Sequence, residues 1–268
     1  MKLENRTVLI TGGTSGIGLE LAKQLLQIGN VVIVTGRDQE RLDAAKQSLP
    51  GVHGFKSDVA DPSAIAALYA AVVAQFPALD TLVNNAGIMR NLDINQSRGL
   101  TDVTREIEIN LNGTVRMIQQ FLPHLKTRPN ALIVNVSSGL AFLPLPLSPV
   151  YCATKAAIHS LTLSLRVQLE GTGVTLVELA PPGTETPLFR GEFEWEARGQ
   201  NAMDPEVLVK KAIAGIEAGK LEIRPGLSNM LMIMSRVAPG FMLKQMTKLT
   251  KQQSLPGAGT AAPTASKG

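Results

Sequence analysis

The chain is short of the residues that most often advertise chemistry. One cysteine among 268 residues, Cys152, leaves no disulfide to form within the chain and suits a reducing compartment. With no histidine near it in sequence, it reads as a small packing residue rather than a nucleophile. The three histidines, His53, His124 and His159, show no metal-ligand spacing, so no metal is expected and all three read as structural or surface residues. No apolar run approaches the roughly 20 residues of a membrane span. The opening MKLENRTVLITGG passes from charged residues straight into a short apolar run, unlike a secretory signal, and a cytoplasmic location is expected. Acid is missing from one end. After Glu222 there is no carboxylate side chain, while Arg224, Arg236, Lys244, Lys248, Lys251 and Lys267 all fall there. That end carries +6 against a net +4, so the first 222 residues sum to −2 and the main body is not a nucleic-acid binder by charge.

What is present is a regular alternation. The chain is 44% hydrophobic and 18% charged, enough apolar content for one core of α/β size. Short β-branched runs (RTVLIT, NVVIVT, GVHGFK, LDTLVNN, ALIVNVS, GVTLVELA) alternate with helix-period segments at 16–28, 38–49, 61–76, 101–126 and 149–171. The runs are nearly continuous rather than alternating, as in strands covered on both faces. A single-domain, doubly wound parallel sheet of Rossmann type is predicted, with helices on both faces and about seven strands, LEIRP being the last. Asp61-Pro62 and Asp204-Pro205 have the form of an N-cap followed by the first helical residue. The domain is expected to span 1–226. A basic, methionine-rich amphipathic segment at 227–252 follows, then a small, polar, Pro/Gly-rich tail at 253–268 with the composition of disorder.

The first strand runs into TGGTSGIG, with Gly12, Gly16 and Gly18 and an extra Gly13. A strand turning sharply into a helix needs glycine for a turn conformation, for close approach of a pyrophosphate, and for helix–strand packing. The helix start then offers free N–H groups and partial positive charge to phosphates. Dinucleotide binding is the expected use, with Gly12, Thr14, Ser15, Gly16, Ile17 and Gly18 around the cofactor.

The spacing T-G-x-x-x-G-x-G resembles the short-chain dehydrogenase/reductase family. Other pieces agree in order: NNAG at 84–87, Asn110 in the long helical segment, the serine pair ending in Ser138, and Tyr151 with Lys155 in VYCATKAA, thirteen residues beyond Ser138. The resemblance runs from about residue 5 to 190. It implies an oxidoreductase acting on CH–OH groups, with Tyr151 as the general acid/base. Lys155, four residues on and so on the same helical face, would lower the phenol's pKa and hold the nicotinamide ribose. Oxidised nicotinamide would add a second positive charge there. Ser138 would orient the substrate oxygen, and Asn110 would hold a water connecting Lys155 to bulk. Asn85, Ala86, Gly87, Asp58 and Val59 would complete the cofactor site, Asp58 facing the adenine.

Cofactor choice is expected at the end of the second strand. NAD enzymes of this architecture hold the adenosine ribose with an acid there, whereas NADP enzymes supply arginine. Gly36 occupies the acid's position and Arg37 follows, which favours NADP over NAD. Asp38 next door and the lack of a basic residue in the glycine turn weigh the other way. After the sixth strand the family's P-G-x-V-x-T aligns with Pro181 through Thr186, with proline at 182 in place of glycine. Pro181, Thr184 and Thr186 would face the nicotinamide.

The loop GLAFLPLPLSPV between Ser138 and Tyr151, with Met89 nearby, suits an apolar ketone, aldehyde or secondary alcohol. The second strand and NNAGIMRNLDI also resemble a bacterial oxidoreductase subgroup often grouped with D-alanylation genes. A segment at 187–203 containing Trp195 would cover the substrate. Two other readings stay open: a non-catalytic, cofactor-sensing binding module, and a nucleotide-sugar epimerase or dehydratase. In FMLKQMTKLTK, Lys244, Lys248 and Lys251 fall on one helical face, and Phe241, Met242, Met246 and Leu249 on another. Such a helix suits a substrate lid or a subunit contact first and a peripheral membrane contact second. A homo-oligomer, dimer or tetramer, is expected, with a small molecule as substrate and no nucleic-acid partner.

Overall fold

In a computed structural model of the protein, residues 1–191 and 202–253 are described. Trp195 and the tail beyond 253 lie outside them. Seven strands, β1 (Thr7–Thr11), β2 (Val31–Gly36), β3 (His53–Lys56), β4 (Thr81–Asn84), β5 (Ala131–Val136), β6 (Val174–Leu179) and β7 (Glu222–Ile223), form one parallel sheet. Their order is β3-β2-β1-β4-β5-β6-β7. The chain steps outward from β1 to β3, then returns past β1 to build the other half. That reversal makes the carboxyl ends of β1 and β4 a topological switch point, where a parallel sheet opens a crevice.

The connecting helices are α1 (Gly16–Gln27), α2 (Gln39–Ser48), α3 (Pro62–Gln75), α4 (Leu100–Val103), α5 (Gly113–Leu125), α6 (Pro149–Gln168), α7 (Pro187–Arg190) and α8 (Pro205–Glu217), followed by α9 (Leu227–Val237) and α10 (Pro239–Gln253). Both sheet faces are covered. Val8, Ile10, Val32 and Val34 pack under Leu21 and Leu25 of α1 and Leu208 and Ala212 of α8. Leu9, Ile33 and Leu82 face the other way, under Ile65 and Leu68 of α3 and Met117 and Phe121 of α5. This is why the strands read as unbroken apolar runs. The Asp-Pro pairs act as caps: Asp61 accepts a hydrogen bond from Ser63 N, and Asp204 from Glu206 N, with the proline first in each helix.

One element departs from the sequence reading. The segment 101–126 is not a single α-helix but α4, a π-helical turn at Ile107–Asn112, and α5. A π turn carries an extra residue and is commonest at functional sites. Two contacts hold it. Gly113 lies so close to Val59 that a β-carbon would stand 2.9 Å from Val59 Cγ2. The Asn110 side chain, inside the π turn, is bound to the backbone of Ile88.

Candidate active site

The glycine turn sits at the switch point and is packed without slack. Gly12 and Gly16 both have positive φ, +64° and +54°, conformations that favour glycine. A β-carbon on Gly12 would meet Ala86 Cα at 2.9 Å, and one on Gly18 would meet the Gly12 carbonyl oxygen at 2.4 Å. Gly13 also has a task, since a β-carbon there would stand 2.5 Å from Val34 Cγ1. Ser15 caps α1 without a side-chain bond to its amides. Ile17 is half-buried and packs against the core.

Asn85 stitches this turn to β4. Its side-chain amide donates to the Thr11 and Gly12 carbonyls at 3.0 and 3.1 Å, while Thr11 Oγ1 accepts from the amides of Asn85 and Ala86. Gly87 follows, and a β-carbon on it would lie 3.2 Å from Asn110 Oδ1 and 3.7 Å from Lys155 Nζ. The end of β4, the π turn and α6 therefore converge. Asn110 accepts from Ile88 N at 2.8 Å and donates to Ile88 O and to Thr154 Oγ1.

Tyr151 and Lys155 are both buried on α6, with the ammonium 5.7 Å from the centroid of the phenol ring. The Tyr151 phenol lies beside the hydroxyl of Ser138, whose Oγ accepts from Leu140 N and caps a 3₁₀ turn at Gly139–Ala141. Lys155 Nζ donates to the Val136 carbonyl at 2.9 Å. Burial dominates the electrostatics of this pair. It pushes the Tyr151 phenol above its ordinary range, opposed by the neighbouring Ser138 hydroxyl and aided by smaller contributions from Cys152 and Glu106. Burial also lowers Lys155 to about 8. Desolvation disfavours both charged forms, and within the chain it outweighs any attraction between them. Cys152 is pushed up to about 11, chiefly by burial, and accepts from Leu145 N, as a packing residue would.

At the far end of the crevice, Arg37, Asp38, Lys56 and Asp58 line one open groove. Asp58 is half-buried and accepts from Ala60 N at 2.9 Å. Val59 is buried against Gly113, so only its backbone is available. Asp38, which had weighed against a phosphate here, caps α2 by accepting from the amides of Glu40 and Arg41. Arg37 has no ion-pair partner among the described residues. A β-carbon on Gly36 would meet Thr14 Cγ2 at 2.8 Å, so the position for a ribose-binding acid is filled from across the turn.

The segment after β6 touches both ends of the site. Pro181 O accepts from Gly139 N at 2.7 Å, beside Ser138. Thr184 is buried and donates to Pro182 O. Thr186 caps α7, and its Cβ and Cγ2 lie 3.2 Å from where a β-carbon on Gly16 would be.

Three features escaped the sequence reading. Lys56 reaches the Arg37 groove because it pairs in register with Gly36 across β2 and β3. Glu106 is wholly buried near Tyr151; its Oε1 accepts from Arg90 N at 3.0 Å, and Arg90 Nη2 stands 3.6 Å from Oε2. His159 is not a surface residue. Its Nδ1 lies 2.7 Å from Glu178 Oε2, and Glu178 Oε1 accepts from Ser137 Oγ at 2.5 Å. Tyr151, Lys155 and His159 recur every four residues along α6, a spacing that could have flagged the histidine. Glu178 thus ties α6 to the end of β5, one residue before Ser138. His124 and His53 are structural, the first bonded to the Leu79 carbonyl and the second against Phe76.

Comparison with known proteins agrees with this geometry. Residues 6–197 match the family described as short chain dehydrogenase. The chain is 47% identical over 224 residues to the uncharacterized oxidoreductase DltE of Bacillus subtilis, covering 83% of this chain and 89% of that one. It is 34% identical over 208 residues to the NADP-dependent 3-hydroxy acid dehydrogenase YdfG of Salmonella typhi, covering 74% and 84%. The crystal structure of a 3-ketoacyl-(acyl-carrier-protein) reductase from Brucella melitensis, complexed with NADH, superposes with a TM-score of 0.75 at 27% identity, over 85% of this chain and all of that one.

Proposed function

The chain belongs to the short-chain dehydrogenase/reductase family of oxidoreductases, and from that membership we propose that it is an NADP-dependent enzyme interconverting an apolar carbonyl compound and its secondary alcohol. The observation that carries the reading is the gathering of the buried Ser138 hydroxyl, Tyr151 phenol and Lys155 ammonium at the switch-point edge of the sheet, Lys155 one helical turn beyond Tyr151. At Gly12, Gly13 and Gly18 a β-carbon would strike the protein, so these positions carry no side chain, and the N–H groups at the start of α1 suit a pyrophosphate. When bound, the nicotinamide would supply or accept the hydride.

The remaining chemistry belongs to the chain. In reduction, Tyr151 donates the proton of its hydroxyl to the substrate oxygen; in oxidation it takes that proton back. The upward shift of the phenol keeps that proton in place at neutral pH. Ser138 holds the same substrate oxygen and fixes its distance from Tyr151. Lys155, held by its hydrogen bond to the Val136 carbonyl, would hold the ribose hydroxyls with its other N–H groups. Asn110, locked to Ile88, holds the π turn and so the floor of the crevice.

Relatives of this chain include proteins named for NADP and for NADH, so the cofactor reading rests on this chain's own residues. Arg37 and Lys56 supply two cations where a 2′-phosphate would sit, and Thr14 excludes the acid that would repel it. An apolar substrate is supported by Leu140, Phe142, Leu145 and Leu147, all left half-buried beyond Ser138, and by Met89 across the cleft. A panel of apolar ketones and aldehydes, followed by nicotinamide absorbance with each cofactor, tests this. Tyr151→Phe should lower turnover at least about a hundredfold with NADPH affinity little changed. Normal turnover by that variant would exclude Tyr151 as the proton donor, and equal affinities for NADPH and NADH would exclude the cofactor assignment.

A further inference from the structure

Helices α9 and α10 have an inner and an outer side, and only the inner one is used by the fold. On the inner side Ser228 is fully buried, and a β-carbon on Gly139 would meet Ser228 Oγ at 2.8 Å and Leu231 Cδ1 at 3.3 Å. Helix α9 therefore rests on the 3₁₀ turn that follows Ser138. Met230, Ile233 and Val237, at spacings of three and four, form the opposite row and are all exposed, Val237 by 75%. The chain passes almost without a break into α10, with Ala238 N bonded to Met234 O and Met242 N to Ala238 O. There the structure corrects the sequence reading of the faces. Phe241, 57% exposed, lies with Lys244 and Lys248 at spacings of three and seven, while Met242 and Met246 are half-buried. Arg236 is exposed at the flank of the α9 row.

We propose that this outer face docks on an anionic lipid bilayer. Met230, Ile233, Val237 and Phe241 enter the boundary between headgroups and acyl chains, and Arg236, Lys244 and Lys248 meet lipid phosphates. Charge complementarity selects this occupant. No carboxylate side chain follows Glu222, so the face is uniformly cationic. A second copy meeting it across a two-fold axis would place like charges opposite one another with no acid to answer them. A lid closing on the substrate would use the inner side, which Ser228 and Leu231 already seat beside Ser138. A bilayer satisfies both the apolar row and its basic flank. It would also bring the Ser138 side of the cleft close to a store of apolar molecules.

The test is co-sedimentation of the full-length protein with vesicles of phosphatidylcholine alone and of phosphatidylcholine mixed with phosphatidylglycerol. Binding is expected only to the mixed vesicles and should weaken as salt is raised. Replacing Arg236→Gln, Lys244→Gln and Lys248→Gln together should weaken it by about a hundredfold, about fivefold for each charge. Ile233→Ser with Val237→Ser should weaken it as well, with melting temperature and turnover of a water-soluble carbonyl unchanged. Absence of binding, equal binding to both vesicle types, or undiminished binding by the glutamine variant would overturn the proposal. So would a concentration-dependent molecular mass that the serine variant lowers, which would give the face to a second copy. None of these outcomes bears on the oxidoreductase reading, which turnover tests separately.

Discussion

Lys155 gives up an ordinary lysine's affinity for its proton in order to sit under the sheet. Its folded value of about 8 lies below its usual 10.5. Up to about pH 8 the group is charged in both folded and unfolded chains, and the cost of burying that charge is fully present. Between about 8 and 10.5 the unfolded chain holds more protons than the folded one, so stability should rise with pH. Tyr151 acts in the opposite sense above pH 10, where the unfolded phenol ionises and the buried one does not. Denaturant titrations across this range should therefore show a rising limb that Lys155→Met removes; a flat profile in the parent protein would contradict the burial argument. Arg37 lives at the exposed end of the site and affects affinity rather than stability. Arg37→Asp should weaken NADPH far more than NADH, because it replaces a charge-assisted contact by repulsion, and Lys56→Glu should act in the same direction. Fluorescence titration with both cofactors measures the ratio.

Between elements, the Ser137–Glu178–His159 chain joins β5, β6 and α6, the three pieces that set Ser138 against Tyr151. Glu178→Leu leaves a buried hydroxyl and an imidazole without their partner and should cost about 1–3 kcal/mol of stability. Glu178→Gln, which keeps the hydrogen bonds, should cost less and retain more turnover. Equal melting temperatures for parent and leucine variant would show that the clamp carries no load. This clamp was hidden from the sequence because its members come from the end of β5, from β6 and from α6, with 19 residues between His159 and Glu178 and 41 between Ser137 and Glu178. The strands were legible for a local reason: burial on both faces makes each one a run of Val, Ile and Leu. The Asp-Pro helix starts were legible because a cap is written in adjacent residues. The π turn was not, since its causes, Val59 against Gly113 and Ile88 against Asn110, lie far away in the chain. Lys56 needed the β2–β3 register. The pairing of Phe241 with the lysines was present in the spacing and was misread.

Across the whole molecule, the sheet leaves a further apolar row on the outside of α6. Leu163 and Val167 are exposed four residues apart, and Val115 of α5 is exposed as well. If the protein is a homo-oligomer, this exposed row is the first face to test as the subunit contact. Val167→Glu should then convert the oligomer to monomer in sedimentation velocity with melting of each subunit little altered. An unchanged mass would move the contact elsewhere. Among the described residues no helix is long and apolar enough to cross a membrane. Along the sequence the charge divides into a body of −2 and a basic end of +6. Subunit contacts through α6 would leave that terminus free in every copy.

Thr14 and Gly36 also constrain ancestry. A lineage drifting toward NAD would need a carboxylate at position 36, but that substitution meets the Thr14 methyl group at once. Either Thr14 turns its methyl aside or the methyl is lost, as in Thr14→Ser. On the proposed NADP reading, Gly36→Asp should turn the chain toward NADH further when Thr14→Ser accompanies it than when it stands alone.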